Sequence, residues 1–461
     1  MSSSYSLSLS GTHHQLLKKH LLGDRNEAAA ILFCRDLSPQ RAKLIVFDVL
    51  LIPNEECSIR RPDFITWPGA RLSAAMDRAE DEGCTLILIH SHPGGFLEFS
   101  VVDDESDRWA IGSLFGGWSG EAPAAGHGSA IMVASGRIRA RLYDPTMRSA
   151  PVADVTVVGD DIVHWRDNQQ EGPPVMAFGS AMTEQLAKLR AGIIGVSGTG
   201  SIIAEQAARM GFGALTLIDF DRIEHRNLNR ILGSRLKDAV TSELKVNAVS
   251  REIGQYRDEI QLQLVPASIM TREAVLAAAQ CDILFSCVDS AEGRQIADLI
   301  AQAFVIPLID MGVTIPTRRL RDGNPAIAEV MGRIDYVQPF GSTLASRQVF
   351  TSALLRAEYL ARSDPEAYAQ ELKEGYIKGT LEEAPSVLPL NMRAASCAML
   401  EFVARMFPFR HDSNRSAART LFALADGEEE RFSEDSFPVD EFGVAGRGLT
   451  VPLLGLPLLG E

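Results

Sequence analysis

Two histidines one residue apart, His90 and His92, close an apolar run, TLILIHSH, that reads as a buried strand. Side chains at i and i+2 of a strand point the same way, so both imidazoles can face a single metal ion. After seven intervening residues comes Ser100, and after two more Asp103. An aspartate returning from a loop and helix start can supply a third ligand. The fourth position is then left for water, which is the open geometry of a catalytic zinc site. Such a site draws the water's pKa towards about 7 and polarises a carbonyl. Glu27, just ahead of the apolar run AAAILFCR, is the candidate to take the proton, and the Ser100 hydroxyl the candidate to donate to a tetrahedral oxyanion. Asp104 replaces Asp103 only if the spacing is misjudged, and Asp107 reads as a solvated helix residue. His127 and His164 stand in no motif.

A pair of strand histidines is commonly structural; five elements in order are a stronger signal. Over residues 20–150 they resemble the JAB/MPN metallopeptidase family, with its JAMM signature of Glu, His-x-His, seven residues, Ser, two residues and Asp. The resemblance implies that His90, His92 and Asp103 bind one zinc ion, that Glu27 is the general base and that Ser100 stabilises the oxyanion. It also implies cleavage after the C-terminal glycine of ubiquitin-like proteins.

A second group of residues suits a nucleotide. The loop Gly195-Val196-Ser197-Gly198-Thr199-Gly200-Ser201 lies between an apolar strand pattern and a helical one. Glycines let phosphates approach the backbone, and a helix N-terminus offers unpaired N–H groups. Alone, this loop is weak evidence, and Ser197 departs from the usual fingerprint. The next strand ends in Asp219 and Asp221, about twenty residues on, where a carboxylate suits ribose hydroxyls. Asn227, Arg230 and later Lys245 follow; Arg and Lys are the groups that neutralise a triphosphate as pyrophosphate leaves. A further strand, ILFSC, runs into Asp289, with Arg294 beyond, and a carboxylate at that edge can hold Mg²⁺.

From about residue 176 to 405 this ordered set resembles the ThiF/MoeB superfamily, which includes the ubiquitin-activating enzymes; LIDMGV at 308–313 and PSVLPLNMRAAS at 385–396 belong to the likeness. The resemblance implies ATP bound over Gly195, Gly198 and Gly200, ribose on Asp219, phosphates on Asn227, Arg230 and Lys245, and magnesium on Asp289. It further implies an eight-stranded sheet, a homodimer and adenylation of the C-terminal glycine of a small ubiquitin-like β-grasp protein, with a conjugating-enzyme-like acceptor in a bacterial modification pathway, often in anti-phage gene clusters. The sequence departs from many relatives in two ways. It has no Cys-x-x-Cys pair, so no second zinc is expected. The stretch Pro339–Ser346, where relatives carry a transfer cysteine, offers only Ser342, Thr343 and Ser346. A directly transferred acyl-adenylate, an oxyester on one of these hydroxyls, or a cysteine from elsewhere all follow as readings, although Cys397 reads as core. Sulfur-carrier activation and a non-catalytic scaffold are the alternatives to a bifunctional enzyme.

The elements that must position these residues fall into two grammars. Strands AAAILFCR and KLIVFDVLLIP, joined by the turn-like DLSPQR, precede a helix with Leu72, Ala75, Met76 and Ala79 on one face and Gly83 at its end. A polar, Pro-rich stretch from Asp160 to Pro174 reads as a linker. Beyond it strands and helices alternate, as in an open, mostly parallel sheet. The expected fold is therefore α/β, with a JAB/MPN-type domain at 1–165, a Rossmann-like ThiF domain at 166–411 and a C-terminal tail at 412–461. A formal net charge of -15 argues against nucleic-acid partners. The six cysteines form no framework and read as reduced core residues. No signal-peptide core and no membrane-length apolar run is present, so a cytoplasmic chain without a membrane partner is expected.

Overall fold

The computed structural model describes residues 4–167, 175–374, 387–439 and 443–460. Its first half comprises β1 (Ser6–Ser10), α1 (Gly11–Leu21), β2 (Ala29–Asp36), β3 (Lys43–Leu51), the small hairpin β4 (Ile59–Arg61) and β5 (Phe64–Thr66), α2 (Gly69–Glu82) and β6 (Thr85–His92). It continues with α3 (Val101–Gly117), β7 (His127–Val133), β8 (Ile138–Tyr143), β9 (Ser149–Pro151), β10 (Asp154–Val158) and β11 (Ile162–Arg166). Nine of these strands form one sheet in the order β11-β10-β1-β3-β2-β6-β7-β8-β9. α2 stops at Gly83, whose φ of 61° is one that a residue with a Cβ rarely adopts. One sheet face carries Leu7, Leu32, Ile87 and Ile89 with α1. The other carries Ile31, Phe33, Leu86 and Leu88 with α2 and α3.

The second half runs α4 (Ser180–Leu186), β12 (Arg190–Ile194), α5 (Gly198–Met210), β13 (Ala214–Ile218), α6 (Leu236–Val240), α7 (Lys245–Ile253), β14 (Gln261–Val265), α8 (Arg272–Ala278), β15 (Ile283–Ser286), α9 (Ala291–Phe304) and β16 (Leu308–Thr314). The hairpin β17 (Thr317–Arg319) and β18 (Pro325–Ile327) follows, then β19 (Met331–Val337), α10 (Ser352–Ser363), α11 (Pro365–Glu374), α12 (Leu388–Met406), β20 (Arg419–Ala423) and β21 (Glu428–Phe432). Its eight-stranded sheet has the order β14-β13-β12-β15-β16-β19-β20-β21, the first five parallel and the last three antiparallel to their neighbours. The chain winds outward from β12 in both directions, so the gap beside β12 is a topological switch point.

Two expectations change. The stretch read as a linker contains β11, which pairs antiparallel with β10; only residues 168–174 of it lie outside the described residues. The segment after residue 412, read as a tail, supplies β20 and β21. It then buries Leu453, Leu454 and Leu459 in a core shared with α8 and α9. Its acidic run EEERF forms an exposed edge strand, where charge opposes further strand pairing. The halves meet through Leu37 and Ile45, which pack in that same core. Arg41 pairs with Asp282 at 2.7 Å, the Tyr336 hydroxyl donates to the Gly159 carbonyl at 2.7 Å, and Arg405 donates to the Asp160 carbonyl at 2.8 Å. All six cysteines are free thiols, and Cys397 packs against the core. Among the described residues no helix is long and apolar enough to cross a membrane.

Candidate functional site

β6 is the middle strand between β2 and β7, and its antiparallel register with β2 sets Ala29 opposite His90. Continued by two residues, that register brings Glu27 beside His92. The continuation is fixed by the Ser91 N–H donating to the Ala28 carbonyl at 3.0 Å, and by the Ala28 N–H donating to Ser91 Oγ at 3.0 Å. Glu27 is further held by the hairpin: its N–H donates to Arg61 and its carbonyl accepts from Arg60, both at 2.9 Å. The Nε2 atoms of His90 and His92 lie 3.1 Å apart, and one ligand atom each from Glu27, His90 and His92 fall within 4.8 Å of one another. Asp103 Oδ1 is 3.1 Å from His90 Nε2, and Oδ2 is 3.4 Å from His92 Nε2. His92 Nδ1 lies 2.7 Å from the Phe96 carbonyl, which fixes the ring and leaves Nε2 for the cluster.

Ser100 and Asp103 owe their spacing partly to the helix. Ser100 is the N-cap of α3 and Asp103 its third residue: the Asp103 N–H donates to Ser100 Oγ at 3.1 Å, and the Ser100 N–H to Asp103 Oδ2 at 2.5 Å. The cap orients the carboxylate towards the imidazoles and leaves the serine proton available.

The two carboxylates differ in character. Burial raises the Glu27 pKa, and the two nearby imidazoles only partly offset it. Burial acts on Asp103 in the same direction, but hydrogen bonds from both imidazoles and the Ser100 N–H hold it well below the usual range. His92 is disfavoured as a cation by burial, yet Asp103 and the Phe96 carbonyl raise its pKa overall. An acid that is reluctant to ionise suits proton transfer, whereas a permanently ionised one suits metal ligation. Two imidazoles and carboxylate oxygen are a donor set that zinc accepts. Glu27, His90 and Asp103 floor an open cleft walled by Asp63, Phe64, Ile65, Trp67 and Val102.

Asp107 corrects the sequence reading. It is buried, and accepts from Tyr143 at 2.9 Å, from Arg141 at 2.7 Å and from Ser129; it lies on the inward face of α3 with Asp103, Ile111 and Leu114, against β7 and β8. Asp104 pairs with Arg141 at 2.6 Å and stands away from the histidines. His127 is a neutral core residue, its pKa pushed down to about 4 by burial.

In the second half, the ends of β12, β13 and β15 are level: Ile194 pairs with both Ile218 and Ser286. Gly195, Asp219 and Cys287 therefore leave the sheet side by side. Gly195 has φ 84°, and a Cβ at Gly200 would stand 1.8 Å from its carbonyl oxygen, so the loop is a tight turn that only these glycines allow. Asp219 is buried and braces the loop, Oδ2 accepting the Val196 N–H at 2.7 Å and Oδ1 the Asp221 N–H at 2.8 Å. Burial raises its pKa, opposed by Lys245. Lys245 Nζ lies 2.6 Å from Asp221 and 4.0 Å from Asp219.

Asn227 spends its carbonyl oxygen on the Glu224 N–H at 2.9 Å, capping its own turn. Arg230 donates to the Arg226 carbonyl at 2.9 Å, while its Cδ borders Gly198. Asp289 is exposed just past β15 and does not join the Asp219–Lys245 group by any hydrogen bond. Arg294 turns inward to Asp310, at 3.5 Å, alongside Arg333 at 2.6 Å.

The hydroxyls of 339–346 are occupied. Ser342 is fully buried and its Oγ accepts from Arg347 at 2.8 Å, while Thr343 and Ser346 bond reciprocally at 3.0 and 3.1 Å. Residues that the sequence did not single out are Phe96, which acts through its backbone and leaves no side-chain signal, and Asn391, visible only inside PSVLPLNMRAAS.

Residues 172–337 match the ThiF family, and residues 10–143 match the prokaryotic homologs of the JAB domain. The ubiquitin-like modifier-activating enzyme 5 of Caenorhabditis briggsae is 25% identical over 167 residues, covering 34% of this chain and 35% of that protein. Its namesake from Gallus gallus is 28% identical over 123 residues, covering 24% and 30%. The matched stretch thus spans about a third of these curated relatives' length. Among solved structures, E. coli MccB with ATP is 14% identical with a TM-score of 0.41, covering 55% of this chain and 66% of that one.

Proposed function

For a chain that joins a domain of the prokaryotic JAB homologs to a domain of the ThiF family, we propose two linked activities on one kind of substrate. The ThiF half adenylates the C-terminal glycine of a small ubiquitin-like β-grasp protein. The JAB half hydrolyses the peptide or isopeptide bond that follows that glycine, in a precursor or in a conjugate. The observation that carries this reading is the coexistence of the Glu27–His90–His92–Asp103 cluster with a glycine loop braced by Asp219.

In the hydrolytic site His90, His92 and Asp103 would hold zinc, which supplies a Lewis acid and an acidified water. Glu27 takes the proton of the attacking water and passes it to the departing amine, so that a C–O bond forms as the C–N bond breaks. The Ser100 hydroxyl donates to the oxyanion. Phe64 and Trp67 of the cleft wall limit water around the extended substrate chain.

In the adenylating site the loop Gly195–Gly200 receives the phosphates and Asp219, aided by Asp221, the ribose. A terminal carboxylate oxygen attacks the α-phosphorus, the bond to the bridging oxygen breaks, and pyrophosphate leaves. Asn227, Arg230 and Lys245 would balance its charge, with Mg²⁺ held by Asp289. Lys245, buried and 2.6 Å from the half-exposed Asp221 carboxylate, must exchange Asp221 for phosphate.

The test is ATP–pyrophosphate exchange that requires a β-grasp protein ending in glycine, together with chelator-sensitive cleavage of the same protein carrying a short C-terminal extension. Exchange without that protein, or none with it, would overturn the activation reading. One observation favours a second outcome for the acyl-adenylate: Ser342, Thr343 and Ser346 are engaged with Arg347 and with one another, so no hydroxyl acceptor is presented. Direct transfer to an acceptor protein, or to sulfide on a sulfur carrier, then replaces an oxyester. The mass of the carrier's C-terminus after reaction separates them.

A further inference from the structure

We infer that Asn391 is a positioning residue for the phosphate end of the nucleotide, acting through Gly198. The inference rests on the ATP reading above.

α5 begins at Gly198 without a side-chain cap: Ser197 precedes it and makes no capping bond. Its first-turn N–H groups are therefore open, as an anion site requires. A Cβ placed on Gly198 would lie 2.3 Å from Asn391 Nδ2 and 3.5 Å from Arg230 Cδ. The carboxamide thus covers the first residue of the helix from one side and the arginine stem borders it from the other. Asn391 is 1% exposed, in the first turn of α12. α12 is tied to α5 by Gln206 donating to Ser396 at 2.9 Å, and Phe402 packs on Phe212, just past the end of α5, with ring centroids 5.4 Å apart. The amide and the helix start consequently keep a fixed relation.

Two consequences follow. Residue 198 is confined to glycine by the Asn391 side chain and not by its own backbone angle, unlike Gly195. The group behind the phosphate cradle is also a neutral amide; a carboxylate of the same shape would face the incoming phosphates with like charge.

The experiment measures equilibrium binding of ATP, ADP and adenosine to the full chain carrying Asn391→Asp, Asn391→Ser, Gly198→Ala and the pair Gly198→Ala/Asn391→Ala, with thermal melting of each. Asn391→Asp is expected to weaken ATP and ADP by about tenfold or more and adenosine by less than about threefold, with Asn391→Ser, which loses the amide but gains no charge, weakening ATP and ADP to an intermediate degree. Gly198→Ala is expected to lose ATP binding, and removing the Asn391 side chain as well should recover about tenfold of it. Equal losses for ATP and adenosine would reduce Asn391 to a structural role. A double variant no better than Gly198→Ala would show that something else excludes the side chain. Either result overturns the inference while wild-type binding stands; a wild type that binds no adenine nucleotide overturns the ATP reading and this inference with it.

Discussion

Replacing Lys43 by methionine is expected to stabilise this protein at neutral pH. Lys43 is 4% exposed at the start of β3, in a small polar pocket between the two halves, which it shares with Ser6, Ser8 and Thr156. The neighbouring carboxylates are engaged elsewhere: Asp282 with Arg41 at 2.7 Å and Asp154 with His164 at 3.0 Å. Burial, and after it the Arg41 charge, draw the lysine pKa from 10.5 down to about 7, against the pull of Asp282 and Asp154. That fall corresponds to about 5 kcal/mol of penalty on the folded state when the group must be charged. Local relaxation around the charge relieves part of it, so about 1–4 kcal/mol is expected to be recovered by a side chain that keeps the stem and drops the ammonium. The sign follows from proton binding. The folded pKa is the lower, so between pH 7 and 10.5 the unfolded chain holds more protons and wild-type stability rises with pH; below about 7 the penalty is constant. Urea unfolding of wild type and Lys43→Met at pH 7, 8.5 and 10 should therefore show an advantage for the variant that is largest at pH 7 and shrinks upward. A variant less stable at pH 7, or a difference independent of pH, would refute the reasoning.

Three further outcomes are expected. Glu27→Gln should lower hydrolysis by about a hundredfold or more while bound zinc, measured by mass spectrometry of the metal, stays stoichiometric; an active variant moves the base elsewhere. Asp289→Ala should stop ATP–pyrophosphate exchange and leave hydrolysis at the wild-type rate, since Asp289 is exposed and makes no structural bond among the described residues; loss of both activities would tie it to the fold. Leu453→Ala should cost about 2–5 kcal/mol in chemical denaturation, because the side chain is fully buried in the core around α8 and α9; a change below about 0.5 kcal/mol would return this segment to the status of a tail.

What the sequence discloses divides along the range of the interactions. The cluster of His90, His92, Asp103 and Glu27 was legible because three of its members lie within one strand, one loop and one helix cap, and their spacing is set by local geometry. Gly83 and the glycine loop were legible for the same reason: left-handed φ and close approach restrict residue type at the position itself. Asp107 was misread because its partners, Ser129, Arg141 and Tyr143, arrive from strands that no spacing rule connects to α3. The carboxyl-terminal segment was misread because its burial depends on a surface built by both halves. Asn391 escaped notice as an asparagine in a helix of mostly apolar residues, meaningful only once α12 lies across α5.

That last surface bears on how the two sites can cooperate. The two halves follow one another along the chain, which invites the picture of two enzymes on a tether. Gly446 and Gly448 contradict it: a Cβ on the first would stand 2.5 Å from Phe47 Cβ and on the second 3.1 Å from Leu37 Cδ2, both in the first half. Their N–H groups donate to the carbonyls of Gln302 and Ala303 at the end of α9 in the second half, at 3.0 and 2.8 Å. A backbone threaded so closely between two cores leaves no room for a hinge beneath it, and separating the halves would also expose Leu37, Ile45 and Leu453 together. On the proposed reading, the hydrolytic and adenylating sites are therefore carried on halves packed in one arrangement.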